Sequence, residues 1–279
     1  MAHESFRVDA RTTLPQLRAE WETCQRCTLG IYRKDVGGSF VFGEGVPGHI
    51  LFIGEGPGKN EESLGRPFVG DTGKFLRRVM RRLSINKYYL TNAVCCRSWL
   101  FAYDTEGNQR YDREGSPVRM DEAPNASCMN FCRERLMRQI YIVDPILIVT
   151  FGASATEALL GKSVAIQSIN GKLQKITIPG AGWKPSLTPK GVWLRKPSAK
   201  DPVSHLPVVQ NQVEYNVLPV VHPAFAYRQA ADQRMDSPMD QFMRGLIKAR
   251  AIYSTYMQEV YGEAALVDVL TDDNEEEEV

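Results

Sequence analysis

A carboxylate, an amide and an imidazole each stand directly after a short apolar, β-rich run in this chain. Glu55 lies in Gly54-Glu55-Gly56-Pro57-Gly58, which follows His49–Ile53; Asn92 follows Tyr88–Thr91; His222-Pro223 follows Val217–Val221. A fourth run, Ile146–Thr150, leads into Phe151-Gly152-Ala153. Taken singly these are ordinary features, since a Gly/Pro segment can be a turn, an Asn a cap and a His before Pro a structural group. Together they point to one crevice, because ligands of open α/β sheets bind beyond the carboxyl ends of parallel strands. The glycines fit neither the phosphate-binding Walker loop, since no Gly-Lys-Ser/Thr follows, nor the dinucleotide Gly-x-Gly-x-x-Gly signature. They would instead let backbone approach a substrate closely.

Six cysteines offer a second chemistry: Cys24, Cys27, Cys95, Cys96, Cys128 and Cys132. Cys24-Gln25-Arg26-Cys27 is a C-x2-C bite that can set two thiolates on one metal or cluster. The others form two close pairs far along the chain, and one thiolate from each would complete a set of four. Scattered buried cysteines are the alternative, most readily for the 95/96 pair. No basic segment followed by an apolar run opens the chain, so a disulfide framework is not expected and a soluble, cytoplasmic protein is.

The elements that would position these groups alternate. A helical pattern over Thr72–Leu83 puts Phe75, Leu76, Val79, Met80 and Leu83 on one face; further helices are expected over Cys128–Ile142, Ala153–Leu160 and Asp240–Tyr261. Strands alternating with helices predict an α/β fold, a parallel sheet with helices on both faces. The polar stretch 98–124 and the proline-rich stretch 180–213 break the rhythm and are expected as insertions in a single domain spanning 1–267. The 279 residues are 43% apolar and 24% charged, which excludes a disordered chain, and no run is long enough for a membrane helix. Residues 268–279 hold seven acids and no Lys or Arg, and are expected to be a disordered acidic tail; set aside, they leave 34 basic against 26 acidic residues, a body charge of +8. A basic body is compatible with nucleic acid, and Lys74, Arg77, Arg78, Arg81 and Arg82 lie off the apolar face of their helix, where they either meet phosphates or are simply solvated.

Gly54-Glu55-Gly56-Pro57-Gly58 followed by Gly65-Arg66-Pro67-Phe68-Val69-Gly70 resembles motif A of the iron–sulfur, type-4 uracil-DNA glycosylases. Thr91-Asn92 leading to Cys96-Arg97, Cys132 heading a helix that ends before Asp144-Pro145, and the late His222-Pro223 extend the resemblance in the same order. It covers about residues 20–160 and 217–250. It implies a three-layer α/β/α sandwich around a short, mainly parallel sheet, and an enzyme that flips uracil from single- or double-stranded DNA and hydrolyses its N-glycosidic bond, a monomer initiating base-excision repair. Carried over by position, Phe68 would stack on the base, Asn92 would read its Watson–Crick edge and His222 would stabilise negative charge near O2. Glu55 and Gly56 would line the sugar and base end of the pocket, with Gly54, Pro57, Gly58 and Glu61 beside them. Lys74, Arg77, Arg78 and Arg228 would hold DNA. Cys24, Cys27, Cys96 and Cys132 would hold a [4Fe–4S] cluster.

The chain departs from that pattern in ways that keep alternatives open. Gly56 stands where other uracil glycosylase classes carry a water-activating Asp. The interval between Cys96 and Cys132 is long, and Cys95 and Cys128 are alternative ligands. A glycosylase for a modified pyrimidine, or a non-catalytic DNA-binding replication accessory protein of the same fold, would carry the same motifs.

Overall fold

A computed structural model describes residues 12–181, 199–200, 207–208, 210–232 and 234–262. The expected tail 268–279 and much of 180–213 lie outside these residues. Helices α1 (Leu14–Glu22) and α2 (Thr28–Asp35) precede strands β1 (Gly43–Gly45) and β2 (Ile50–Gly54). Helices α3 (Lys59–Leu64) and α4 (Asp71–Arg82) lead to β3 (Tyr88–Asn92), then to a ribbon of β4 (Trp99–Phe101) and β5 (Arg119–Asp121). Next come α5 (Ala126–Val143), β6 (Leu147–Phe151), α6 (Gly152–Leu160), α7 (Ile166–Ile169) and β7 (Gln174–Ala181). Short β8 (Ala199–Lys200) and β9 (Pro207–Val208) precede β10 (Gln210–Val220), α8 (Pro223–Arg228) and α9 (Pro238–Tyr261).

The main sheet runs β1-β3-β2-β6-β10-β7. Its four central strands are parallel and both edge strands antiparallel. Strands buried on both faces need unbroken apolar sequence, and β2 and β6 have every residue buried. Leu51, Ile53 and Ile148 point into one core with Leu17, Trp21, Leu136 and Leu159 from α1, α5 and α6. Ile50, Phe52, Leu147 and Val149 point the other way, onto Leu76, Met80, Phe242 and Leu246 of α4 and α9. This is the expected α/β/α layering. No described helix is long and apolar enough to cross a membrane.

Three details differ from the expectation. The last strand begins at Gln210 rather than Val217, pairing with β7 from Gln210↔Ala181 to Val217↔Gln174. Its first half buries Tyr215 while exposing Glu214 and Asn216, so it alternates and leaves no apolar run to find. Cys132 sits inside α5 rather than at its head, because the Asn125 side chain accepts the Cys128 N–H at 2.9 Å and starts the helix earlier. Finally, segment 98–124 is a folded antiparallel ribbon with Trp99 and Ala102 buried.

Buried charge ties that ribbon down. Glu62 of α3 is buried and meets Arg97 and Arg119, each at 3.4 Å. Arg97 also reaches Asp121 at 2.5 Å and the Arg119 carbonyl at 3.3 Å. Removing one partner from a buried ion pair strands the other, at about 3–5 kcal/mol. Glu62→Ala is therefore expected to lower unfolding stability by about that amount in denaturant titration, and to open 98–124 to limited proteolysis. An unchanged midpoint and digestion pattern would contradict the anchoring role.

Candidate active site

The carboxyl ends of β2, β3, β6 and β10 open onto one cavity of about 660 Å³. Glu55, Gly56, Pro57, Gly58, Glu61, Phe68, Asn92, His222 and Arg228 all line it. Gly54 stands just behind. A Cβ on Gly54 would lie well inside contact distance of Asn92 Oδ1 and 2.7 Å from Phe68 Cζ, so only glycine lets amide and ring close over the strand end. Asn92 is buried, its carbonyl accepts a guanidinium N–H from Arg135 at 2.7 Å, and its amide has no partner among the described residues. At Gly56 a Cβ would stand 2.9 Å from Val94 Cγ2, so no acid fits there without a shift.

Phe68 is held in a left-handed backbone conformation, φ 55°, which costs a non-glycine residue about 1–3 kcal/mol. Several contacts enforce it. Arg77 donates to the Pro67 and Phe68 carbonyls, both at 3.2 Å, and to Glu44 at 2.6 Å. Gly73, in the first turn of α4, has no Cβ to collide with the Phe68 carbonyl. The ring then meets Phe151 edge-on at 6.2 Å. Glu61 joins the two glycine segments, its carboxylate accepting the N–H groups of Gly58, Val69 and Gly70 at 3.1, 3.0 and 2.9 Å.

These bonds bear on two sequence expectations. Arg77 turns inward and positions Phe68 instead of facing DNA. Glu61 lines the cavity but spends both carboxylate oxygens on backbone. Lys74 and Arg78 do lie exposed on α4, as do Arg81 and Arg82. The cavity also takes Lys59, Asn60 and Thr72, and Ser98, Asp121, Glu122 and Pro124 from the ribbon segment. Nothing in the sequence signalled the ribbon's share, because its polar stretch reads as surface.

The six cysteines carry free thiols and share one core region beneath β3. Cys95, Cys96, Cys128 and Cys132 are buried within it, and Cys24 and Cys27 pack against it. Among the described residues no three His, Cys, Asp or Glu side chains close around a point as a single ion requires. A cubane cluster holds its thiolates further apart than one ion does. Burial pushes the Cys27 and Cys132 thiols up from their ordinary range, and against it the Gly30 N–H faces the Cys27 sulfur and the Cys95 N–H faces that of Cys132. Two buried guanidiniums, Arg33 and Arg135, border the group with unpartnered Nε atoms. The donor set and its surroundings thus fit a buried, negatively charged thiolate centre.

His222 accepts the Ala224 N–H at Nδ1, 3.1 Å, so the neutral ring carries its proton on Nε2. Burial, reinforced by the Arg228 charge, lowers its pKa from the ordinary 6.5 to about 4. The ring is then a neutral donor throughout the physiological range. An unfolded chain protonates the group below 6.5 while the folded one waits until about 4, so this residue removes stability as pH falls between those values. A ring-resolved NMR titration is expected to show a midpoint near 4, moving upward in Arg228→Gln. A wild-type midpoint at 6.5 would contradict the assignment.

Comparison with known proteins agrees with this geometry. Residues 42–246 match the family model described as the Uracil DNA glycosylase superfamily. A protein of Thermotoga maritima named Type-4 uracil-DNA glycosylase is 35% identical over 152 residues, 53% of this chain and 67% of that protein. One of the same name from Sulfurisphaera tokodaii is 32% identical over 154 residues, 54% of this chain and 59% of that protein. Another, from Pyrobaculum aerophilum, is 29% identical over 196 residues, 67% of this chain and 87% of that protein. The match thus spans between just over half and most of the relatives' lengths. The family match alone takes in all four parallel strands and the cavity at their ends, and the chain belongs to the uracil DNA glycosylase superfamily.

Proposed function

We propose that this chain is a uracil-DNA glycosylase, hydrolysing the N-glycosidic bond of uracil flipped out of DNA. The observation that carries the proposal is the meeting of an unengaged buried amide, a strained aromatic ring and a neutral imidazole donor in one cavity. A base inside a duplex must leave the stack before it can be cut, and stacking and edge hydrogen bonds then replace those lost. Phe68 supplies the stack. The Asn92 amide accepts from uracil N3–H and donates to O4. As the bond breaks, negative charge gathers on the departing pyrimidine and positive charge on the sugar. His222 Nε2–H donates to the oxyanion at O2, where a fixed donor in a dry site stabilises the transition state. Glu55 lines the sugar end, where its carboxylate opposes the cation-like carbon. With the base departing early, water needs little activation, which is consistent with Gly56 in place of an acid.

Lys74, Arg78 and Arg228 serve the phosphates, so affinity should fall as salt rises. Cys24, Cys27, Cys96 and Cys132 would hold a [4Fe–4S] cluster, which supplies a cross-link between the N-terminal helices and the core. The reading carries with it a cytoplasmic, monomeric enzyme. A second reading, a glycosylase for a larger modified pyrimidine, is favoured by the ribbon residues Ser98, Asp121 and Glu122 at the cavity wall.

Incubation with uracil-containing oligonucleotides, followed by alkali, is expected to cut the strand at uracil. No cut in either single- or double-stranded substrate would overturn the proposal, and a cut only at 5-substituted uracil would favour the second reading. Purified protein should be brown. Cys24→Ala, Cys27→Ala, Cys96→Ala and Cys132→Ala should each lose iron, whereas Cys95→Ala and Cys128→Ala should keep it. Full iron in any of the first four would reject that ligand set.

A further inference from the structure

Of the four buried guanidiniums among the described residues, two have a carboxylate. Arg138 pairs with Glu20, and Arg97 with Glu62 and Asp121. Arg135 has none among the described residues, yet it is completely buried. Its Nη2 donates to the Asn92 and Ala93 carbonyls, both at 2.7 Å, its Nη1 donates to Gln139 and Thr91, and its Nε has no partner. Neutral acceptors satisfy hydrogen bonds but leave the charge uncompensated, and an uncompensated buried charge is costly.

The missing counter-charge has an evident source. Arg135 follows Cys132 by three residues on α5, which places both on one helix face. Arg33, buried with its guanidinium over the Phe40 ring, donates to the carbonyl of Cys24, at the other end of the ligand set. Four thiolates around an iron–sulfur core carry net negative charge, and two flanking cations would balance it.

We propose that Arg33 and Arg135 are the buried counter-cations of the cysteine-held cluster, and that Arg135 is also a positioning residue, fixing Asn92 through the two carbonyls it holds. The proposal rests on the reading of Asn92 as the base reader. Arg135 joins cluster and pocket in one side chain: charge on one side, a two-pronged grip on the end of β3 on the other. Arg33 supplies charge only, since its single backbone bond goes to the Cys24 carbonyl at 3.3 Å.

The two roles separate by substitution. Bleaching of the brown colour under an iron chelator reads the charge role, and kcat/KM on a uracil oligonucleotide reads the positioning role. Arg33→Gln is expected to bleach severalfold faster than wild type with excision unchanged. Arg135→Lys keeps the charge but loses the fork; it should bleach as wild type does, while kcat/KM falls about 10²-fold from misplacement of the reader. In an Asn92→Ala background Arg135→Lys should cost almost nothing further, because the side chain that it would misplace is already gone. Arg135→Met should bleach faster and excise poorly; if it does not fold, the Lys and Arg33 variants decide. Wild-type bleaching in Arg33→Gln overturns the charge role. Wild-type kcat/KM in Arg135→Lys, or additive losses with Asn92→Ala, overturns the positioning role. A wild-type enzyme inert on uracil sinks the parent reading and the positioning role with it, and bleaching then still judges the charge role.

Discussion

The missing side chain at Gly54 is the constraint on which the site depends. Strand β2 must end there so that Asn92, its neighbour in register on β3, and Phe68, returning from the next loop, can close over the strand tip. Any Cβ would separate amide from ring. The remaining architecture keeps that closure rigid. Glu61 pins the two glycine segments together, Arg77 and Gly73 hold Phe68 in its left-handed backbone, and Arg135 grips the chain at Asn92 and Ala93. A site preorganised in this way spends its strain during folding rather than at the moment of reaction.

Electrostatics divides the molecule into two regimes. At the cavity, burial and the Arg228 cation keep His222 neutral, so the ring donates without carrying charge of its own. Beneath β3 the chain gathers thiols and two buried guanidiniums that have no carboxylate partner among the described residues, an arrangement that folding alone would not favour. Arg135 touches both regions. The exposed cations of α4 lie outside both, on a face where salt screens them.

The layered α/β fold was legible in the sequence because strands buried on both faces must be apolar runs, as at Ile50–Gly54 and Leu147–Phe151. The first half of β10 was not, since its polar alternate residues conceal the pairing with β7. Glu55, Phe68, Asn92 and His222 were legible through their motifs, and all four line the cavity. The inward turn of Arg77 was not. A helix pattern distinguishes apolar from charged faces, but not a cation bonded to the preceding loop from one in solvent. The ribbon's part in the cavity wall and the grip of Arg135 on the end of β3 were hidden for a related reason: both follow from contacts between segments distant in sequence.

The central claim is that the Asn92 amide selects uracil, and base selectivity of its variants tests this most directly. Cytosine presents an acceptor at N3 and a donor at N4, so the wild-type amide mismatches both positions. Excision rates on paired oligonucleotides differing only in uracil or cytosine are expected to fall about 10- to 100-fold on uracil in Asn92→Ala, with no gain on cytosine. Asn92→Asp should lose uracil activity as sharply and gain slight cytosine activity, because its carboxylate accepts from N4. Uracil excision by Asn92→Ala at the wild-type rate would contradict the account.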